Sequence, residues 1–141
     1  MGLDMYLDVS VTPEKNINLQ GQTRFNQDDI DLDLERLMYW RKANAIHQWF
    51  VTHVQNDEDD GFTYVVMRED LEALHDTIRN VRLNKHKAHE WLPTQSGFFF
   101  GSTDYDDYYF DTLKETEQIL YDVLQKFADG PAPLFTYTAS W

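Results

Sequence analysis

The stretch MGLDMYLDVSV, Met1–Val11, alternates: Leu3, Met5, Leu7, Val9 and Val11 fall on one side of an extended chain, and Asp4, Tyr6, Asp8 and Ser10 on the other. A period of two with one apolar side predicts a half-buried strand. The last eight residues, LFTYTASW (Leu134–Trp141), alternate in the same way and predict a second strand. A chain with a strand at each end and amphipathic segments between them reads as α+β. The expected fold is a small antiparallel sheet that includes both chain ends, with three helices packed on one of its faces.

Between the ends, Pro13 to Asp31 is polar, and NLQGQTRFNQDD (Asn18–Asp29) follows neither period, so a long loop or irregular hairpin is expected. From Leu32 to Gln55 the pattern turns helical. Steps of 100° bring Tyr39, Trp40, Ala43, Ile46, Phe50, Val51 and Val54 to one face. Acids and a glycine in QNDEDDG (Gln55–Gly61) end that helix, and FTYVV (Phe62–Val66) reads as a short strand. A second helix follows over Arg68–Leu83, with Leu71, Leu74, Ile78 and Val81 on one side and a basic, solvated far end, RLNKHKAHE (Arg82–Glu90). A third spans Asp104–Ala128, where Tyr109, Leu113, Thr116, Leu120, Val123 and Phe127 repeat at alternating steps of four and three. Ser102, Thr103 or Asp104 is the expected cap, and Asp129-Gly130-Pro131 the stop. Three or four strands result.

Length and composition bound the rest. With 141 residues, 42 % of them apolar and 15 % aromatic, the chain suits one domain with one real core. Twenty-five acids against twelve bases give a formal charge of −13, which repels phosphate backbones and anionic membranes at long range. Direct nucleic-acid binding and membrane binding are therefore not expected, whereas a basic protein partner or mimicry of a nucleic acid is favoured. The absence of cysteine excludes disulfides, thiolate metal sites and cysteine nucleophiles. No signal peptide is read in the opening residues, because Asp4 and Asp8 interrupt them, and a cytosolic location follows as the expectation.

Two segments stand out as candidate chemistry. In YWRKANAIHQWF (Tyr39–Phe50), read as helix, Arg41, Asn44 and Gln48 form a polar stripe beside the apolar face, and His47 falls within that face next to Trp40. One reading makes His47 a satisfied core histidine and Arg41 a member of an ion pair. The other makes Trp40, Arg41, Asn44 and His47 a recognition wall, with Arg41 forking onto a carboxylate or phosphate. In LPTQSGFFFGSTDYDDYYF (Leu92–Phe110), three phenylalanines sit between two glycines. They serve the core in one reading; in the other, an extended chain puts Phe98 and Phe100 on one face and Phe99 on the other, so that at least one ring lines a cleft, and the amides of Gly101, Ser102 and Thr103 meet an anion at a helix N-terminus, against the acids that follow. The candidate ligand-binding set is Trp40, Arg41, Asn44, His47, Gln95, Ser96, Phe98, Gly101 and Ser102.

No catalytic residue, cofactor or metal is assigned. HKAHE (His86–Glu90) lacks a third well-placed ligand, NDEDDG (Asn56–Gly61) lacks the spacing of a calcium loop, and no nucleophile elbow, phosphate loop or dinucleotide fingerprint occurs. A hydrolase using His47 as general base has no spacing motif behind it.

Together MGLDMYL, YWRKANAIHQWF, LPTQSGFFFGSTDYDDYYF and the closing aromatic strand ending in Ser140-Trp141 resemble a family of small uncharacterised proteins of tailed bacteriophages and prophages. The resemblance covers most of the chain in blocks and weakens through Val11–Leu32 and Asn80–Glu90. Its motif residues here are Trp40, Arg41, Lys42, Asn44, His47, Gln95, Ser96, Gly97, Phe98, Gly101 and Ser102. It implies a phage accessory protein in the cytoplasm of the infected bacterium, and it implies no activity. The function expected is therefore non-enzymatic binding of a host or anti-phage-defence component, through a pocket for a small anionic or nucleotide-like ligand. The alternative is an acidic inhibitor that blocks a nucleic-acid-binding host protein.

Overall fold

A computed structural model of the protein describes residues 2–19, 21–97 and 100–141. Its centre is a five-stranded antiparallel sheet in the order β2-β4-β5-β1-β3, formed by β1 (Asp4–Ser10), β2 (Arg24–Phe25), β3 (Leu34–Arg41), β4 (Thr63–Val66) and β5 (Phe135–Ser140). The two strands from the chain ends lie side by side in it. Residues directly opposite one another share a face, so the register builds the core side in rows. Met5 lies between Trp40 and Ala139, Leu7 between Met38 and Tyr137, and Val9 opposite Phe135; Tyr64 and Val66 extend the rows through β4.

Helices α1 (Asn44–His53), α2 (Arg68–Leu83), the short α3 (Ala88–Trp91) and α4 (Asp107–Lys126) complete the fold. The buried side chains Ile46 and Phe50 of α1, Leu71, Leu74, Ile78 and Val81 of α2, and Leu113, Leu120 and Val123 of α4 join the sheet rows in one apolar cluster. Phe50 stacks on Tyr137 with ring centres 3.8 Å apart. Arg82 pairs with Glu117 at 2.8 Å across the α2–α4 contact. Among the described residues no helix is long and apolar enough to cross a membrane.

The other face of the sheet is more polar. Asp8, Ser10, Thr63 and Thr136 are buried on it, Ser10 donates to Asn16 at 2.7 Å, and Tyr6 and Tyr39 sit opposite each other nearer its β3 edge. Asn16 belongs to a 3-10 helix, Pro13–Leu19, and a second, Gln27–Asp29, follows β2. Short ordered elements thus occupy the segment expected to be a loop or irregular hairpin.

Three other expectations are corrected. The helix expected over 32–55 is a strand followed by a helix. A β-bulge is the reason: Leu7 pairs with Met38 but Asp8 with Arg36, leaving Leu37 as the extra residue. The bulge sets Leu37 and Met38 side by side and breaks the alternation within β3, so no continuous period of two runs into Trp40 although the backbone is extended. Tyr39 is consequently exposed rather than part of a helical core face. α4 begins at Asp107, and its cap is Asp106, whose carboxylate accepts from the Tyr109 amide at 3.1 Å; Ser102, Thr103 and Asp104 lie in the preceding loop. Val11, past the end of β1, is half exposed and outside the strand's inward row.

Candidate functional site

The chain leaves β3 at Arg41 and turns sharply into α1. Lys42 makes the turn in the left-handed region, with φ 55°, and its amide donates to the Leu3 carbonyl at 2.7 Å. Among the described residues no side chain caps α1 at Ala43, so its first-turn amides have no side-chain acceptor there. Asn44 is used instead to hold the loop that follows α3. Its Nδ2 donates to the carbonyls of Phe100 and Ser102, at 3.0 and 2.9 Å, and its Oδ1 accepts from the Gln95 amide at 2.9 Å. Loop and helix are thereby fixed to each other. Gly101, at φ 87°, lets the loop pass so close that an added Cβ would sit 3.0 Å from Lys42 Cβ.

The packing leaves a cleft of about 350 Å³ between the β3–α1 junction, the loop and the first turns of α4. Arg41 and Lys42 form one part of its rim, and Asp104 and Asp106 another. The buried Ala45, Ile46 and Leu113 back it from the core, and Thr94, Ser102 and Thr112 line it with hydroxyl-bearing side chains. Tyr108 and Tyr109 line the α4 side. The Tyr108 hydroxyl donates to the Arg41 carbonyl, and the Tyr109 hydroxyl donates to the Leu92 carbonyl at 2.6 Å. Burial pushes the Tyr109 phenol well up, so it remains a neutral donor. Among the described residues, Arg41, Lys42, Asp104 and Asp106 take part in no ion pair, although the bases and acids border one space.

Of the residues singled out in the sequence, Arg41, Asn44, Gly101 and Ser102 line the cleft together. Arg41 does so from the end of a strand, not from a helical stripe shared with Asn44 and Gln48. The amides of Gly101, Ser102 and Thr103 precede Asp106, so they are not the N-terminal amides of α4. Gln95 reaches Asn44 only through its backbone; neither it nor Ser96 lines the cleft, and Phe98 lies outside the described residues. Trp40 is buried in the core, where its indole donates to Thr116 at 2.8 Å. The cleft's Tyr108, Tyr109, Thr112 and Asp106 were missed. Their one signal is position, in the first turns of the helix entered from the FFF loop.

His47 also lies away from the cleft. It is 1 % exposed, with Nδ1 2.6 Å from the Tyr137 hydroxyl and Nε2 2.9 Å from Asp59. An ionised carboxylate only accepts, so Nε2 carries the proton toward Asp59, and Nδ1 accepts from Tyr137. Phe100 packs edge-on against the imidazole at 5.6 Å. Burial, with the Asp59 charge as a smaller cause, pushes the Tyr137 hydroxyl well above its ordinary pKa. The loop carrying Asp59 is held by Gln55, which donates to the Glu58 carbonyl at 2.7 Å, and by Arg24 and Tyr64, which reach Asp60 at 2.8 and 2.6 Å. Burial alone would raise the Asp60 carboxyl; hydrogen bonds from Tyr64 and the Phe62 amide, with the Arg24 charge, outweigh it and hold the group below its ordinary value. In this arrangement His47 joins α1, β5 and the acidic loop, and it does not reach a ligand in the cleft.

No protein-family model, no curated protein and no solved structure matches the chain.

Proposed function

We propose that the protein is a non-enzymatic binding protein, a phage accessory protein directed at a host or anti-phage-defence component, and that its cleft takes a small ligand by an anionic group. The observation that carries the reading is the pair Arg41 and Lys42, without acidic partners among the described residues, on the rim of a cleft of about 350 Å³. A guanidinium there forks onto a carboxylate or phosphate, and the uncapped first turn of α1 adds positive potential to the same space. Ligand pockets run from roughly 300 to 1,000 Å³; this one is at the small end, suited to a mononucleotide or something smaller. The phage context is supported by the resemblance of the sequence blocks alone.

The test is thermal denaturation with a panel of mononucleotides and cyclic nucleotides, on the wild type and on Arg41→Ala. The expected result is a higher melting temperature with at least one of them, abolished in the variant. No rise with any of the panel overturns a nucleotide-like ligand, and an equal rise in Arg41→Ala overturns the assignment of the anionic group to Arg41.

A second reading is favoured by the acids themselves. Asp28, Asp29, Asp31 and Asp33 are all exposed, and among the described residues Lys15 is the one base paired with any of their carboxylates, at 3.5 Å to Asp31 and 3.2 Å to Asp33. Such a surface suits a basic protein that would otherwise hold nucleic acid. Capture of that kind weakens steeply with salt and is indifferent to Arg41→Ala.

A further inference from the structure

We infer that the ligand of the cleft is a zwitterion with an apolar body, of the class of a short apolar peptide with both ends free. The inference rests on the cleft being a ligand site and goes further, to the charge pattern its rim selects. Two bases and two acids border the space, so its formal charge is balanced within a protein of formal charge −13. No ion pair joins the four among the described residues, so neither the bases nor the acids are tied to each other by direct contact.

Their positions are set by other constraints. Arg41 and Lys42 are fixed by the β3–α1 turn, where the Tyr108 hydroxyl and the Leu3 carbonyl hold their backbones. Asp106 is fixed as the cap of α4. Asp104 is placed by its amide, which donates to Ser102 Oγ at 3.0 Å, and its carboxylate has no hydrogen-bond partner among the described residues. Two basic and two acidic residues thus line one space, with the Asp104 carboxylate free of protein partners among the described residues and that of Asp106 shared with the Tyr109 amide.

A simple anion is a poor fit to that pattern. A space of about 350 Å³ is on the order of one Debye length across, so the acids are not screened from an anion held at Arg41. What that anion gains at Arg41 and Lys42 it partly loses to Asp104 and Asp106. A ligand with a carboxylate at one end and an ammonium at the other gains at both. Between them the half-exposed Tyr108 ring lines the cleft, and an aliphatic side chain packs against such a face. Specificity then comes from what is lost as well as gained: blocking either ligand end leaves the protein charges there facing an uncharged group.

Calorimetric titration with leucyl-leucine, its N-acetyl derivative and its C-terminal amide tests this, together with AMP, on the wild type, Arg41→Ala and Asp104→Asn. Expected is binding of the free dipeptide, with at least a tenfold loss on blocking either end. Arg41→Ala should stop distinguishing the amide from the free acid, and Asp104→Asn should distinguish the N-acetyl form less. If N-acetyl-leucyl-leucine binds as tightly as the free dipeptide, the zwitterion is wrong while an anionic ligand stands. Arg41-dependent binding of AMP without any dipeptide binding has the same meaning. No binding of either class overturns the inference and the cleft reading beneath it.

Discussion

Both ring nitrogens of His47 are occupied inside the protein, by Tyr137 and by Asp59, and the ring is shut away behind Phe100. Replacing it with Ala removes a buried ring and leaves the Tyr137 hydroxyl, itself fully buried, without its partner. A large-to-small change and an orphaned polar group each cost on the order of 1–3 kcal/mol. The expected loss for His47→Ala is therefore about 3 kcal/mol, read from urea unfolding. Ligand affinity at the cleft should be unchanged by calorimetry wherever the variant is folded. A tenfold loss of affinity with little loss of stability would place the ring in the ligand site after all. The sequence shows His47 on an apolar face, which is correct, but its partners are 12 and 90 positions away. Only the fold brings them within hydrogen-bond distance, so the choice between core residue and ligand contact was not legible locally.

Among the elements, the loop between α3 and α4 depends on Asn44 at the start of α1. Three hydrogen bonds from one buried amide hold Gln95, Phe100 and Ser102, and each is worth on the order of 1 kcal/mol net. Asn44→Ala is expected to lower stability by about 2 kcal/mol and to release the loop: hydrogen exchange at the Gln95 amide should rise toward the rate of an exposed loop, while Leu74 and Leu120 in α2 and α4 stay protected. Gly101→Ala should act on the same joint, at about 1–2 kcal/mol for a side chain at left-handed φ, before the added contact with Lys42. Unchanged exchange at Gln95 in Asn44→Ala would show that the loop is held by something else. Asn44 and Gly101 both belong to the candidate set read from the sequence, but that they meet at one joint depends on partners more than fifty positions apart, which only the fold brings together. The bulge at Leu37 was not readable, because one extra residue breaks the period of two that marks a strand. The helices free of such an irregularity, α2 and α4, matched their apolar spacing closely, α2 from its first residue to its last.

At the scale of the whole molecule the largest influence outside the core is the excess of thirteen negative charges. Favourable pairs exist, such as Arg82 with Glu117 and Arg24 with Asp60, and exposed pairs of this kind contribute on the order of 0–1 kcal/mol. With twelve bases for twenty-five acids, most carboxylates have none of them as partner, and exposed runs such as Asp28–Asp33 bring like charges together. Compaction forces those charges closer than they stand in the unfolded chain, so self-repulsion works against the fold. Salt screens both effects, shortening the Debye length from about 30 Å at 0.01 M to about 8 Å at 0.15 M. Repulsion acts over the longer range and involves more groups, so its loss outweighs the weakening of the pairs. The melting temperature is expected to rise by about 3 °C between 10 and 150 mM NaCl, since one kcal/mol moves a domain of this size by roughly that amount. Sodium and potassium chloride should act alike, because the effect is screening and not a specific cation site. A fall in melting temperature over the same range would mean that the ion pairs, not the unpaired acids, govern the stability of this fold.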